Sequence, residues 1–315
     1  ATMSTNSNRF LDPKNDFAFK RIFGREENKD ILITFLNDVL DHEHIGQIQE
    51  VALLPTIQDP EIASKKQSIL DILCRDQNGV QYIIEMQVAR SKGFEKRAQF
   101  YAAKAYSTQL MRAGQYQDLK EVIFLAITDF VMYPDQEDIK SDHIILDKKT
   151  LKHKLKDIYF TFIELPKFTK KIDELENDTE RWYFYLKNAD QTQGPDYEKL
   201  TSAHPIIKRA YHEVDKAYWS ETELNTYEAV LKRERDNKAA RAQALDDAQK
   251  KGIAIGKEVG KEEGIAIGEE RGKKAGITIG KEEGRHIEKK ALARQMLQEG
   301  LARSLVSKIT GLSEA

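Results

Sequence analysis

A chain of 315 residues has room for about two domains, and its formal net charge of −2 excludes a generally basic nucleic-acid coat while leaving a local basic groove open. The single cysteine, Cys74, excludes an intrachain disulfide and any zinc site built from several thiolates, and it predicts a reducing, cytoplasmic setting. No apolar run reaches about eighteen residues and no charged-then-apolar leader is present, so neither a membrane span nor a signal peptide is predicted.

In chain order, residues 15–40 show helical spacing in two pieces, Phe19, Ile22 and Phe23, then Ile31, Leu32, Phe35, Leu36 and Val39. Gly24 separates them as a C-terminal cap, and Asp16 and Lys20, four apart, form an ion pair along the first helix. A short strand is predicted within 50–56. Residues 68–88 then read as two strands and a tight turn, with Leu70, Ile72 and Cys74 on one side of the first and Tyr82, Ile84, Met86 and Val88 on one side of the second.

The register of that hairpin decides its chemistry, because a slip of one residue moves every side chain to the other face. A two-residue Asn78-Gly79 turn pairs Asp71 with Met86 and separates the carboxylates. A three-residue loop, with Gly79 left-handed, pairs Asp76 with Val80, Ile72 with Ile84, Leu70 with Met86 and Asp71 with Glu85. Only the second gives one coherent apolar face. It also brings Asp71, Glu85 and Gln87 to one polar patch, where two ionised carboxylates about 5 Å apart repel and a divalent cation is one answer. The same residues also fit an ordinary half-exposed hairpin with an acidic outer face.

Residues 93–113 read as one long helix carrying Phe94, Arg97, Ala98, Tyr101, Ala105 and Leu110. The run 121–130 has the continuous apolarity of a buried central strand, 142–146 and 157–165 are further strands, and Pro166 closes the set. Helix, strand, hairpin, helix and strand imply three layers around a mixed sheet. Residues 170–250 are helical, Trp182, Tyr183, Tyr185 and Leu186 docking one helix on the core and 205–250 forming a long charged helix or pair. The seven histidines, His42, His44, His143, His153, His204, His212 and His286, show no metal-ligand spacing and read as surface residues.

Beyond Tyr227 there is no aromatic residue and beyond Pro205 no proline, so the C-terminal part lacks the side chains of a conventional core. From Gly252 to Gly284 a glycine recurs at every fourth position, over a twelve-residue repeat. Each glycine costs a solvated helix about 0.8–1 kcal/mol relative to alanine, so the nine cost on the order of 8 kcal/mol. Two readings stand, a fraying helical linker and a self-associating helical stalk. Residues 291–315 give two short helices broken at Gly300 with a turn at Gly311, the beginning of a helix-turn-helix pattern or a small capping pair.

The segments FLDPKNDFAFKRIFG at 10–24, LDILCRD and YIIEMQ within 70–87, RAQFYAAKAYSTQL at 97–110 and FIELPKF at 162–168 resemble the recombination-promoting nuclease family, also described as PD-(D/E)XK nuclease family transposases. The resemblance covers about 8–250, and the glycine-repeating tail and closing ITGLS are similar to that family's usual ending. It implies an α/β, restriction-endonuclease-like core, a mixed sheet flanked by helices with a helical C-terminal extension. The implied divisions are a core at 1–170, a helical region at 171–250, a linker or stalk at 251–284 and a helix-turn-helix-like segment at 285–315.

In function the resemblance implies divalent-metal-dependent DNA cleavage linked to recombination or to defence against foreign DNA, the alternatives being a non-catalytic DNA-binding or assembly protein and a strand-joining transposase. Asp71 stands at the motif aspartate, and Glu85 and Gln87 at its acidic and lysine positions. Asp71, Glu85 and the Met86 carbonyl are the expected ligands of Mg²⁺, with Mn²⁺ or Ca²⁺ as substitutes. Asp16 is a further acid, and Lys20, Arg97 and Tyr101 are expected to contact phosphate. Gln87 departs from the lysine, and a carboxamide cannot serve as a base near neutral pH. The expected partners are DNA and a second copy of the chain, joined through the glycine-periodic segment.

Overall fold

The computed structural model describes residues 8–40, 46–56 and 70–313. Its centre is a six-stranded sheet of β1 (Val51–Leu53), β2 (Ile72–Asp76), β3 (Gln81–Gln87), β4 (Val122–Thr128), β5 (Lys140–His143) and β6 (Ile158–Glu164), in the order β1-β2-β3-β4-β6-β5. β1, β2 and β3 are antiparallel, β3, β4 and β6 parallel, and β5 returns antiparallel on β6.

The hairpin takes the register that the apolar pattern demands. Ile72 pairs with Ile84 and Cys74 with Tyr82, and the Asp76 and Gly79 amides bond the Val80 and Asp76 carbonyls at 3.0 and 3.1 Å. Gly79 sits at φ +89, a conformation that costs other residues strain. Asp76 fixes the turn: its carboxylate accepts the Asn78 and Val80 amides at 2.8 and 3.0 Å and the Tyr82 hydroxyl at 3.0 Å.

Both faces of the sheet are covered, as three layers require, which removes the alternative of a half-exposed hairpin. On one side α1 (Asp16–Phe23), α2 (Lys29–Val39), α4 (Asp178–Asn188) and α6 (Pro205–Val214) enclose Phe19, Phe23, Phe35, Trp182 and Tyr211 over Ile72, Tyr82 and Ile84. Each such side chain, taken fully out of water, contributes about 1.5–3 kcal/mol. On the other, α3 (Phe94–Ala113) sets Phe94, Ala98, Ala102 and Ala105 on Leu73, Ile83, Phe124 and Ala126. Leu70 belongs to this second cluster and not to the face of Ile72, because the chain bends at Asp71 before β2 begins.

Asn15 starts α1 by accepting the Phe17 and Ala18 amides, and Gly24 ends it, where a Cβ would lie 2.7 Å from the Lys20 carbonyl oxygen. The strand expected at 142–146 is β5 at Lys140–His143 instead. Ile144, Ile145 and Leu146, which suggested it, are exposed beyond the edge. Of the long helix or pair expected at 205–250 the structure has the pair: after α6 come a short 3₁₀ turn and α7 (Glu221–Gln298), with α5 (Gly194–Thr201) earlier in the same region. His42, His44 and Ser68 lie outside the described residues.

The chain divides into two compact units, Ala1–Arg235 and Asp236–Ala315. In the second, the glycine tract is helical throughout as part of α7, and a Cβ added at any of its glycines meets nothing within 4 Å. Gly300 ends α7 at φ +89, and α8 (Arg303–Thr310) buries Val306 and Thr310. No helix among the described residues is long and apolar enough to cross a membrane.

Candidate active site at the mouth of the hairpin

Asp71 is the last residue before β2, and the pairing of Ile72 with Ile84 carries over to set it opposite Glu85. The Asp71 amide donates to Glu85 Oε1 at 3.2 Å, and the Met86 amide donates to Asp71 Oδ2 at 2.9 Å. The Gln87 carboxamide donates to Glu85 Oε2 at 3.2 Å and accepts from Arg97 Nη2 at 2.9 Å. From α1, Lys20 Nζ lies 2.7 Å from Asp16 Oδ1 and 3.4 Å from Asp71 Oδ1.

Six of the seven side chains expected from the sequence therefore form one continuous polar line, Asp16, Lys20, Asp71, Glu85, Gln87 and Arg97. The seventh, Tyr101, is one turn beyond Arg97 and packs on the Leu73–Phe94 cluster, a core position and not part of that line. Burial is deepest in the middle of it: the Asp16 and Lys20 side chains are 40% and 36% exposed, Asp71 14%, and Glu85 as a residue 4%, while Gln87 and Arg97 beyond it are half-buried. The site opens toward α1.

Electrostatics follow that gradient. Burial pushes both carboxylic acids up, Asp71 to about 6 and Glu85 to about 8, and each is pushed further by a neighbouring carboxylate, Asp16 for Asp71 and Asp71 for Glu85. The Met86 amide and Lys20 hold Asp71 down in part. The proton belongs to the pair, and Glu85, the deeper acid, is the one that keeps it. Burial alone would lower Lys20, but Asp16 and Asp71 outweigh it and hold it above its ordinary value. Arg97 lies over the Phe94 ring, its Cζ 5.1 Å from the centroid, and its Nε is buried without a hydrogen-bond partner.

Such a pair is short of positive charge, and its donors are hard oxygens, which fits a divalent cation of the magnesium or calcium kind. A third oxygen is near. The amide and carbonyl of one strand residue point to the same side; the Met86 amide faces Asp71, whereas the next carbonyl, of Gln87, is taken by the Asp129 amide at 2.9 Å. No group of three or more His, Cys, Asp or Glu residues suited to a metal occurs among the described residues. Two carboxylates and one carbonyl would thus leave other positions to water, as Mg²⁺ prefers.

Sequence reading missed two contributors. Asp76 fixes the turn and hence the register that brings Asp71 to Glu85, and its signal was the Asp-x-x-Gly spacing to Gly79. Phe94, under the Arg97 guanidinium, carries no sequence signal beyond its place one turn earlier on α3.

Residues 13–244 match the family model described as PD-(D/E)XK nuclease family transposase. Residues 286–315 match a second, the C-terminal HTH domain of the Rpn/YhgA-like nuclease family. No curated protein and no solved structure matches the chain. With a mixed sheet between helical layers, an acid at the mouth of its hairpin facing a second acid on the next strand, and a match over most of its length, the chain belongs to the PD-(D/E)XK nuclease family transposases.

Proposed function

We propose that the chain is a Mg²⁺-dependent DNA endonuclease whose active centre is Asp71, Glu85 and Gln87. The observation that carries this reading is the pair of carboxylates held together by the Asp71 and Met86 amides at the end of β3. Asp71, Glu85 and the Met86 carbonyl would hold the ion. When bound, such an ion supplies Lewis acidity, acidifying water and offsetting the charge of a phosphodiester.

The chain's own residues supply position. The Gln87 carboxamide, held between Glu85 and Arg97, has no proton to take up or release near neutral pH, so it orients and does not deprotonate. Arg97 fixes the direction of that carboxamide and is a positioning residue. Lys20, partly exposed at the mouth, is placed to meet a phosphate oxygen, and Asp16 keeps it charged. The helix-turn-helix match favours duplex DNA as a partner of the second unit. The open glycine face of α7 favours a second copy of the chain as another.

Supercoiled plasmid with Mg²⁺ tests the assignment. Asp71→Ala is expected to lower nicking at least 100-fold while the thermal midpoint moves by only a few degrees; undiminished nicking overturns the site. Because the family description includes transposases, joined strands are scored in the same assay, and their formation would replace hydrolysis by strand transfer.

A further inference from the structure

The sheet face beneath α3 holds a second feature that the carboxylates do not use. Between α3 and the β6–β5 edge lies an open cavity of about 220 Å³, lined by Phe160 and Phe162 of β6, His143 of β5, Tyr133, and Glu95 and Gln99 of α3. Three of its rings pack on one another: Tyr133 and His143 lie 5.3 Å apart, His143 and Phe162 5.3 Å at 90°, and Tyr133 and Phe162 5.8 Å at 85°.

The cavity shares a row with the candidate active site. Glu85 is paired laterally with Ala126, and Ala126 with Phe162. Two strand spacings put Phe162 about 10 Å from Glu85 along that row. At the other end of the cavity, marked by Ile145 and Ile158, β5 and β6 are joined through residues 144–157, of which 147–157 carry Lys148, Lys149, Lys152, Lys154 and Lys156, all exposed.

This connection is ordered. The Asp147 carboxylate accepts the Lys149 and Thr150 amides at 3.0 and 2.8 Å, the Asp147 amide bonds the Lys152 carbonyl at 3.0 Å, and the His153 ring stands edge-on to Tyr159 at 5.2 Å. Among the described residues only Lys154 of the five reaches a carboxylate, Asp147, at 3.8 Å.

We propose that the cavity takes bases of an unpaired nucleic-acid strand and that the lysines of 147–157 take its phosphates, a placement that rests on the nuclease reading of the carboxylates. Five cations with so little compensation select a polyanion over a peptide or a second copy of this chain. Concave aromatic walls select bases whose faces are free, since those of a duplex are stacked on one another. Glu95 and Gln99 offer an acceptor and a donor to base edges. A strand held there would run within about two strand spacings of Glu85 and about three of Asp71.

Fluorescence anisotropy in chelator, where nothing is cut, tests this with the full chain, a short labelled oligothymidine and a duplex of equal length. Phe160→Ala is expected to weaken binding of the oligothymidine about tenfold and to leave the duplex unchanged. Because Phe160 also packs on Phe124, 6.1 Å away, His143→Ala repeats the test from the edge strand. Lys149→Gln with Lys152→Gln and Lys156→Gln is expected to reduce the salt slope for the single strand by about 2, at about 0.7 per phosphate.

Unchanged single-strand affinity in both ring variants overturns the proposal, as does an equal loss of duplex binding. Plasmid nicking separates it from the nuclease reading. Binding that responds to these residues in a protein that never nicks upholds the cavity and removes the nuclease, whereas nicking with normal binding by the ring variants removes the cavity alone.

Discussion

Asp71 and Glu85 make the site sensitive to protons before any substrate arrives. Both are held above their ordinary values, so between about pH 4.5 and 8 the folded chain keeps protons that the unfolded chain has released. Stability then falls as pH rises through that window, because the folded state binds more protons than the unfolded one. In chelator the thermal midpoint is expected to decline from pH 5 to pH 9, and Asp71→Ala, which removes one of the two charges, to flatten the decline. Added Mg²⁺ is expected to raise the midpoint more at pH 9 than at pH 6, since it competes with the shared proton. A midpoint that rises with pH in chelator would show that the pair is not short of positive charge.

At the level of elements, α7 is latched to α1 where it begins. Burial pushes Glu223 up, but the Ser220 amide and the guanidinium groups of Arg25 and Arg21 hold it down to about 2. Ser220 Oγ in turn accepts the Glu223 amide at 3.3 Å, which completes a capping box. Glu223→Ala removes the carboxylate half of that box and leaves Arg21, whose side chain is 9% exposed, with Glu213 as its remaining carboxylate at 3.4 Å. Urea unfolding is expected to show a loss of about 2 kcal/mol at pH 7. The depressed acid contributes above its unfolded value, so that difference shrinks as pH falls from about 4.5 toward 2.

The Ser-x-x-Glu signature at 220–223 is present in the sequence and marks where the second helix of 205–250 begins, which charge and periodicity leave open as one helix or a pair. The hairpin was readable for a related reason, since Asp76, Gly79 and the alternation of Ile72, Cys74, Tyr82 and Ile84 all specify one register. What covers its other face was not. The helix over 93–113 is legible, but Ala98, Ala102 and Ala105, which bury Leu73 and Ile83, are too small to mark the face it covers. Lys20 reads locally as the partner of Asp16, and only the return of α1 onto the sheet brings it to Asp71. Tyr133 and His143 likewise meet through the edge strand, which no local pattern encodes.

Across the whole molecule the two units are stabilised by different means. The first has its aromatic core; in the second, a helix interrupted by a glycine at every fourth position persists with open space beside each glycine. Replacing Gly256, Gly264 and Gly272 by alanine is expected to stabilise α7 by about 0.8–1 kcal/mol each, seen as a higher-temperature helix melt by circular dichroism. Sedimentation of the same variant separates the two readings of the tract. An unchanged mass leaves the glycines without a packing role, and a lower mass identifies them as the surface on which copies of the chain meet. Cys74 offers a further handle. It is the only thiol in the chain, it lies at 0% exposure between strands, and burial with Asp76 beside it keeps it protonated. It can meet an alkylating reagent only when the first unit opens, so its labelling rate under native conditions times that opening without interference from the glycine helix. Ligands of the carboxylate pair, three residues of strand away from this sulfur's own hairpin rung, should slow that clock in proportion to how tightly they bind the closed state.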